Sequence, residues 1–171
     1  MNKKILSIGS ADITPFGEIW VAVSEDGLFA LDFPSTKVHF TQSLCQKYSV
    51  ELKEEQKKAQ PILDQISEYA LGVRRQFDIA IDWDAMGAFQ KKALRATLAI
   101  PIGQVVTYKE IAAAIGSPNG ARAVGRAEAT NPIPLVIPCH RVLGSDHQLH
   151  GYGAGKGLET KRWLLDLEGV K

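Results

Sequence analysis

The chain of 171 residues lacks long apolar segments and contains only 8 prolines and 15 glycines. An apolar run such as residues 133–138 is far shorter than the roughly 20 residues that a membrane-spanning helix requires. Met1–Lys4 leads into an alternating segment rather than into the apolar block of a secretory signal, so we expect a cytoplasmic protein. The low proline and glycine content excludes collagen-like repeats and disorder. We therefore expect a folded chain of one or two domains.

Cysteine is scarce as well, since only Cys45 and Cys139 are present, in unrelated contexts. Two isolated cysteines argue against a disulfide framework, so any role of a thiol has to be solitary. Four residues with zinc-binding side chains follow the second cysteine: His140, Asp146, His147 and His150. Their spacing is poor for a metal, because no Cys-x-x-Cys pair occurs and adjacent Cys139 and His140 cannot easily face one ion. We expect no metal and no cofactor.

A surplus of charge of one sign is also missing, because the formal net charge is +1. The charges are nevertheless unevenly distributed, with a balance of −4 over residues 1–85 and +5 over residues 86–171. A basic half is a candidate binder of nucleic acid or another polyanion, although many domains without that role carry as much charge. Charge alone leaves both possibilities open.

The N-terminal half predicts a small α+β domain over residues 1–85. Its strands are expected as an antiparallel meander, with Asp26-Gly27 as the best hairpin turn: Ile5–Ile8, Glu18–Ser24 and Leu28–Phe33. Apolar residues at helical spacing then predict two helices, Val38–Tyr48 and Lys53–Leu71. The stretch Gly72–Ala85 is mixed and fits a further short strand or an extended linker.

The C-terminal half, residues 86–171, predicts a mainly helical domain with four helices: Phe89–Ile100, Tyr108–Ile115, Gly120–Ala129 and Leu158–Glu168. Thr107 is a suitable cap for the second of them. Helix, tight turn and helix between Thr107 and Ala129 have the form of a helix-turn-helix. The small residues of the helix after the turn suit either close approach to DNA or packing on neighbouring helices, while Arg122 and Arg126 share one face.

A glycine-rich loop, Gly151–Gly157, fits neither phosphate-binding motif that it suggests. His150 stands where a P-loop requires glycine and Gly157 where it requires Ser or Thr, and Lys156 occupies the third glycine site of a dinucleotide fingerprint. A tight loop beside a reactive cysteine is still able to shape a pocket and to present backbone N–H groups to a substrate oxygen.

Cys139 is the sharpest candidate for chemistry, because a neighbouring imidazole is able to convert a thiol into a nucleophilic thiolate. Adjacent residues of an extended segment point in opposite directions, so Cys139 and His140 require a turn or a bridging water to communicate. The residues alone leave open that Cys139 is a buried structural cysteine.

Several motifs occur together and in order between Phe89 and Gly169: Ala121–Gly125 (ARAVG), Asn131–Pro134 (NPIP), Pro138–Val142 (PCHRV), Gly151-Tyr152, Arg162–Leu165 (RWLL) and Glu168-Gly169. This combination resembles the O6-alkylguanine-DNA alkyltransferase family. The N-terminal half resembles that family only in its architecture.

The resemblance implies a suicide repair protein in which Cys139 attacks the alkyl carbon on guanine O6. His140 then matches the residue that removes the thiol proton through a water, and Glu168 matches the residue that orients His140. Tyr108 matches the tyrosine that donates to guanine N3 as the purine leaves. Asn131 matches the asparagine that braces the turn before the cysteine segment.

The resemblance also implies a substrate pocket and a DNA-binding surface. The expected pocket residues are Tyr152, Gly153 and Pro134, and Gly153 stands where some relatives carry serine. Arg122 matches the arginine that fills the gap left by a flipped nucleotide, beside small residues suited to the minor groove. The full set of expected DNA contacts is Ala121, Arg122, Ala123, Gly125, Arg126 and Arg141.

The expected partner is double-stranded DNA that carries O6-alkylguanine, bound by a monomer without an obligate protein partner. Two other functions remain open. One is a lesion sensor without catalytic activity. Proteins of that kind resemble this domain but lack the cysteine that is present here. A helix-turn-helix transcription regulator requires side chains such as Gln or Asn on its second helix to reach base edges, and this helix offers few.

Overall fold

The structure, a computed structural model, describes residues 2–170. The chain divides into two compact units, of which the first ends at Ala85 and the second begins at Met86. Among the described residues, no helix combines the length and the apolar character needed to cross a bilayer.

The first unit is built on a four-stranded sheet. Its strands are β1 (Lys4–Ile13), β2 (Gly17–Ser24), β3 (Gly27–Asp32) and β4 (Val50–Glu54). Strands β1 to β3 form the predicted antiparallel meander, and β4 pairs with β1 in parallel, which gives the order β3-β2-β1-β4. The β2–β3 turn requires glycine at Gly27, because its φ is +135° and a Cβ there would lie 2.3 Å from the carbonyl oxygen of Ala80.

Strand β4 corrects the prediction of one helix over Lys53–Leu71. The helix, α2, spans Gln56–Ala70, and the residues before it continue the sheet. The preceding helix, α1 (Lys37–Lys47), packs Phe40 and Leu44 into the core that also includes residues of the sheet. Residues 72–82 form no further strand; Ile81 forms an isolated bridge with Leu28, and Asp82 contacts the side chains of Lys4 and Ser24 in the sheet.

The second unit contains four helices and one short parallel strand pair within the part of the chain that the structure describes. Its helices are α3 (Ala88–Leu98), α4 (Tyr108–Ala114), α5 (Ala121–Ala129) and α6 (Leu158–Glu168). Helix α4 begins with a capping box, in which the side chain of Thr107 accepts from the backbone N–H of Glu110 and Glu110 returns the bond. Helices α4 and α5 with the turn between them form the predicted helix-turn-helix.

The strand pair places the residues of the site. Strand β5 (Val106–Thr107) leads directly into Tyr108 at the start of α4. Strand β6 (Val142–Leu143) follows a single 3-10 turn, Cys139–Arg141, and pairs with β5 in parallel. Because the two strands are hydrogen-bonded neighbours, the segment that leads into α4 and the segment that follows the cysteine turn are held side by side.

Candidate active site

A pocket of about 430 Å³ lies in the second unit and has Cys139 in its wall. Its lining comes from the start of α4, one face of α5, the cysteine turn and the glycine-rich loop: Tyr108, Gly125, Glu128, Ala129, Cys139, His150, Gly151, Tyr152 and Gly153. The helix-turn-helix and the cysteine segment, which are separate in the sequence, therefore share one cavity.

The thiol of Cys139 is nearly inaccessible, with 6% of the residue exposed. Burial raises its pKa to about 12, and the nearby Glu128 carboxyl acts in the same direction. A hydrogen bond from Asn131 and the charge of Lys161 lower that pKa in part. The resting side chain is therefore a neutral thiol, and it becomes a nucleophile only when a base takes its proton.

His140 is a suitable base, because its two ring nitrogens have different surroundings. Its Nε2 lies 2.8 Å from Oε1 of Glu168, and both side chains are fully buried. Its Nδ1 is buried as well and has no hydrogen-bond partner among the described residues. Since a carboxylate accepts, Nε2 carries the proton and Nδ1 keeps its lone pair. Burial lowers the pKa of His140, so the resting imidazole is neutral.

Arg141 corrects the predicted set of DNA contacts. Only 9% of Arg141 is exposed, and its guanidinium donates to both oxygens of Glu168 at 2.9 Å. It also donates to the carbonyl oxygen of Ile100 at 2.5 Å. Arg141 therefore neutralises the buried Glu168 carboxylate, which a DNA phosphate cannot reach, and it fixes that carboxylate against His140.

Asn131 occupies the position expected for a turn brace. Its side-chain amide donates to the carbonyl oxygen of Ile137 at 3.0 Å, and its amide oxygen accepts from the backbone N–H of Ile133 at 2.9 Å. These two bonds tie the end of α5 to the segment that leads into Cys139. Asn131 thus helps to fix the cysteine segment relative to α5.

Tyr108 lies on the pocket wall as a neutral hydrogen-bond donor. Burial raises its pKa to about 12, and the Glu128 carboxyl and the Cys139 thiol add to the effect. Its hydroxyl donates to the carbonyl oxygen of His150 at 3.2 Å. A substrate that accepts from Tyr108 has to replace this bond.

Two of the three residues predicted for the substrate pocket, Tyr152 and Gly153, line the cavity. Glycine is required at Gly153, because a Cβ there would lie 2.8 Å from the carbonyl oxygen of Ala129. The serine of some relatives does not fit this backbone without a shift. Pro134 is a correction, since it is buried and is not among the lining residues.

Helix α5 has one packed face and one open face. Val124 and Ala127 are buried in the core of the second unit, whereas Arg122, Ala123 and Arg126 lie outside that core. Arg122 and Ala123 are exposed, and Ala121 and Gly125 are half-buried at the margin of the open face. Gly125 also borders the pocket. The small residues of α5 therefore have two roles. Those on the packed face pack against neighbouring helices, and those on the open face leave room for close approach to DNA.

Sequence analysis missed two charged residues that lie beside the thiol. Glu128 is 6% exposed and lines the pocket, and Lys161 is 0% exposed on α6. The Lys161 ammonium donates to three carbonyl oxygens, those of Val142, His150 and Gly151. The sequence signal that could have revealed both residues is their helical spacing, because each charged side chain lies on the apolar stripe of its helix. Lys161 precedes Leu164 by three residues, and Glu128 follows Val124 by four.

A group of carboxylates that could hold a metal, Asp26, Asp82 and Asp84, occurs in the first unit and not in the pocket. Lys4 already neutralises it, because its ammonium lies 2.5 Å from Asp82, 3.0 Å from Asp84 and 3.5 Å from Asp26. The contacts with Asp82 and Asp84 raise the pKa of Lys4 in spite of its partial burial. We interpret this group as an ion-pair cluster.

The sequence matches two family descriptions that together cover most of the chain. Residues 88–170 match "6-O-methylguanine DNA methyltransferase, DNA binding domain". Residues 13–83 match "6-O-methylguanine DNA methyltransferase, ribonuclease-like domain".

Individual proteins are similar to this chain in sequence and in structure. The methylated-DNA–protein-cysteine methyltransferase of Methanosarcina barkeri is 39% identical over 155 residues, which cover 91% of this chain and 92% of that protein. The protein of the same name from Salmonella typhimurium is 36% identical over 159 residues, with coverage of 91% and 92%. The crystal structure of Mycobacterium tuberculosis OGT in complex with DNA superposes with a TM-score of 0.80 at 33% identity, covering 95% of this chain and 92% of that one.

Proposed function

Because the chain belongs to the methylated-DNA–protein-cysteine methyltransferase family, we propose that it repairs double-stranded DNA by moving the alkyl group of O6-alkylguanine onto Cys139. The observation that carries this proposal is the buried set of Cys139, His140 and Glu168 at the pocket. In that set the basic lone pair on His140 Nδ1 has no other partner among the described residues.

The reaction begins with the thiol proton, which passes from Sγ to His140 Nδ1 through a water. The imidazolium that forms is held by the Glu168 carboxylate at 2.8 Å. The sulfur lone pair then forms a bond to the alkyl carbon while the bond between that carbon and O6 breaks, and the electron pair of the broken bond goes to the purine. Tyr108 donates its hydroxyl proton toward N3 of the leaving purine and offsets the charge that develops there.

Burial explains why the base has to leave the duplex. Cys139 sits in the wall of a pocket, and a guanine O6 inside the base stack cannot reach it, so the nucleotide is flipped into the cavity. The open face of α5, with Arg122, Ala123 and Arg126, is the DNA-binding surface of this proposal. Ala121 and Gly125 allow close approach at its margin, and Arg122 takes the place of the flipped nucleotide.

We propose that one chain acts alone. Every residue that lines the pocket, together with His140, Arg141 and Glu168 behind it, comes from the second unit of a single chain.

The cytoplasmic location remains a prediction. The presence of Cys139 argues against a pure lesion sensor, and the short exposed side chain of Ala123 argues against sequence readout by a transcription regulator.

The stoichiometry of transfer tests this function. A thioether offers no leaving-group chemistry at neutral pH, so each molecule should accept one alkyl group and then stop. Incubation with duplex DNA that carries labelled O6-methylguanine, followed by peptide mass spectrometry, should locate one methyl group per chain on Cys139. Cys45, which is exposed, is the internal control and should stay unlabelled. More than one turnover per molecule, or a label elsewhere, would refute the proposal.

Substitution of Arg122 separates the handling of DNA from the chemistry. Unstacking a nucleotide costs a few kcal/mol, and a side chain that offsets about 1.4 kcal/mol of this cost changes the rate about tenfold. Arg122→Ala should therefore slow repair of duplex DNA at least about tenfold. A free base such as benzylguanine requires no unstacking and should react at the parental rate.

Arg126→Ala is the matched control, because Arg126 lies one turn further along the same helix. It should weaken DNA binding by the loss of one phosphate contact, and high salt should reduce the difference from the parent protein. Arg122→Lys should recover only part of the duplex rate, since lysine lacks the planar guanidinium. Equal losses on both substrates would instead place Arg122 in support of the pocket.

A further inference from the structure

Glu128 is a buried carboxyl in the pocket wall that the reaction described above does not use. Its Oε2 is buried and has no hydrogen-bond partner within residues 2–170, while its Oε1 lies 2.5 Å from the hydroxyl oxygen of Thr97. Carboxylates are almost never fully buried without a cation or several donors around them. Lys161, the cation whose charge acts on Glu128, uses its ammonium on three backbone carbonyls and forms no ion pair with it.

A count of protons at Thr97 indicates the ionisation state of Glu128. The Thr97 hydroxyl oxygen lies 3.0 Å from the carbonyl oxygen of Ala93 and 2.5 Å from Glu128 Oε1. A hydroxyl has one proton to donate, and a backbone carbonyl only accepts. If Glu128 is the neutral acid, it donates to Thr97, and Thr97 donates to Ala93. If Glu128 is ionised, one of the two contacts joins two acceptors with no proton between them.

Groups from four other segments of the second unit interact with Glu128. Thr97 comes from α3, Tyr108 from the start of α4, Cys139 from the 3-10 turn and Lys161 from α6. Burial raises the pKa of Glu128 to about 7, although Thr97 and Lys161 both act to lower it. The carboxyl therefore titrates within the physiological range.

We propose that Glu128 is a proton-operated brake on Cys139: the pocket reacts fastest while Glu128 is a neutral acid, and transfer slows when Glu128 loses its proton. This inference rests on the proposed function, because it concerns the same thiol. It assigns to the pocket a regulatory residue that stands apart from the set of Cys139, His140 and Glu168.

Glu128 has this effect because its charge acts mainly on Cys139, the donor of the transferred proton, rather than on His140, the acceptor. An ionised Glu128 raises the pKa of Cys139 and competes with a thiolate for the charge of Lys161. The charges with the largest effect on His140 are those of Glu168, Arg141 and Lys161. A negative Glu128 therefore holds the proton on sulfur without a matching gain at the imidazole, and the fraction of thiolate falls.

Glu128→Gln tests the brake, because glutamine keeps the size of the side chain and its amide is able to donate to Thr97. We expect the Glu128→Gln variant and the parent to transfer a methyl group at equal rates near pH 5.5. Near pH 8.5 the variant should be about ten times faster, because a shift of one unit in the thiol pKa changes the thiolate fraction tenfold. The measurement is the single-turnover rate on duplex DNA with O6-methylguanine across that pH range.

A second readout makes the test independent of DNA repair. The rate at which iodoacetamide alkylates Cys139, measured in a Cys45→Ser background, reports the thiolate directly and should show the same rise of the variant over the parent with pH. If the parent consumes no methylated DNA at any pH, the proposed function fails, while this readout still measures the coupling of Glu128 to Cys139.

Glu159→Gln is the matched control, since the Glu159 side chain is 75% exposed on α6, and its pH profile should equal that of the parent. If Glu128→Gln does not fold, as judged by circular dichroism, Glu128→Leu provides the same loss of charge and should show the same profile. A ratio of variant to parent that stays constant from pH 5.5 to 8.5, in both readouts, would overturn the proposal.

Discussion

Replacement of Cys139 by alanine is expected to abolish alkyl transfer and to leave the binding of lesion-bearing duplex DNA intact. Among the residues that line the pocket, Cys139 alone combines nucleophilic sulfur with an adjacent base. Its removal leaves the open face of α5, with Arg122 and Arg126, unchanged. The variant should therefore behave as a lesion sensor that holds O6-alkylguanine without consuming it.

Transfer by this variant is measured with labelled methylated duplex, and binding is measured by the anisotropy of a fluorescent duplex. Cys45→Ala is the matched control, because Cys45 is exposed in the first unit and should keep full transfer. Residual transfer by Cys139→Ala would identify a second acceptor. Loss of binding together with transfer would show that Cys139 supports the fold of the pocket.

The helices of the second unit could be predicted because their boundaries are encoded locally. Thr107 and Glu110 form the capping box of α4 within four residues. Helix α6 ends at Gly169, whose φ of +80° suits only glycine without strain. The predicted bounds of α6, Leu158–Glu168, are those observed.

Strand β4 could not be predicted in the same way. Its residues, Val50–Glu54, are mostly polar, and only Val50 is buried. Glutamate, leucine and lysine favour helices, so local preference extends α2 backwards across them. What makes them a strand is parallel pairing with β1, and that partner lies more than 40 residues away in the sequence.

The role of Arg141 depends on a similar long-range contact. Arg141 and Glu168 are 27 residues apart, and nothing in the residues near Arg141 distinguishes a buried guanidinium from one that meets a phosphate. The cysteine motif pointed to Cys139 as the candidate nucleophile, because the residues of the motif are adjacent. It could not reveal that Glu168 is shared between His140 and Arg141, nor that the charges of Glu128 and Lys161 act on the sulfur.

Replacement of His140 by alanine is expected to slow transfer by about 10²–10⁴-fold, the usual contribution of a general base. In the parent protein the proton moves within the site, from thiol to imidazole, so the rate should be level from below pH 6.5 up to the range in which Glu128 ionises. The lower limit follows because burial lowers the pKa of His140 from 6.5, which keeps Nδ1 unprotonated in mildly acidic solution.

Without the imidazole, thiolate forms only by loss of the proton to solvent. Because the pKa of Cys139 is raised to about 12, the rate of His140→Ala should rise about tenfold for each pH unit wherever Glu128 keeps one charge state, with a shallower slope near pH 7. Single-turnover rates between pH 6 and 9 distinguish this steep rise from the parent profile, which is level at first and then falls as Glu128 ionises. Glu168→Gln is the companion variant, since it keeps His140 but removes the charge that holds the imidazolium. Its profile should resemble the parent in shape at a lower rate. A His140→Ala profile parallel to that of the parent would show that another group takes the proton, and it would remove His140 from the mechanism.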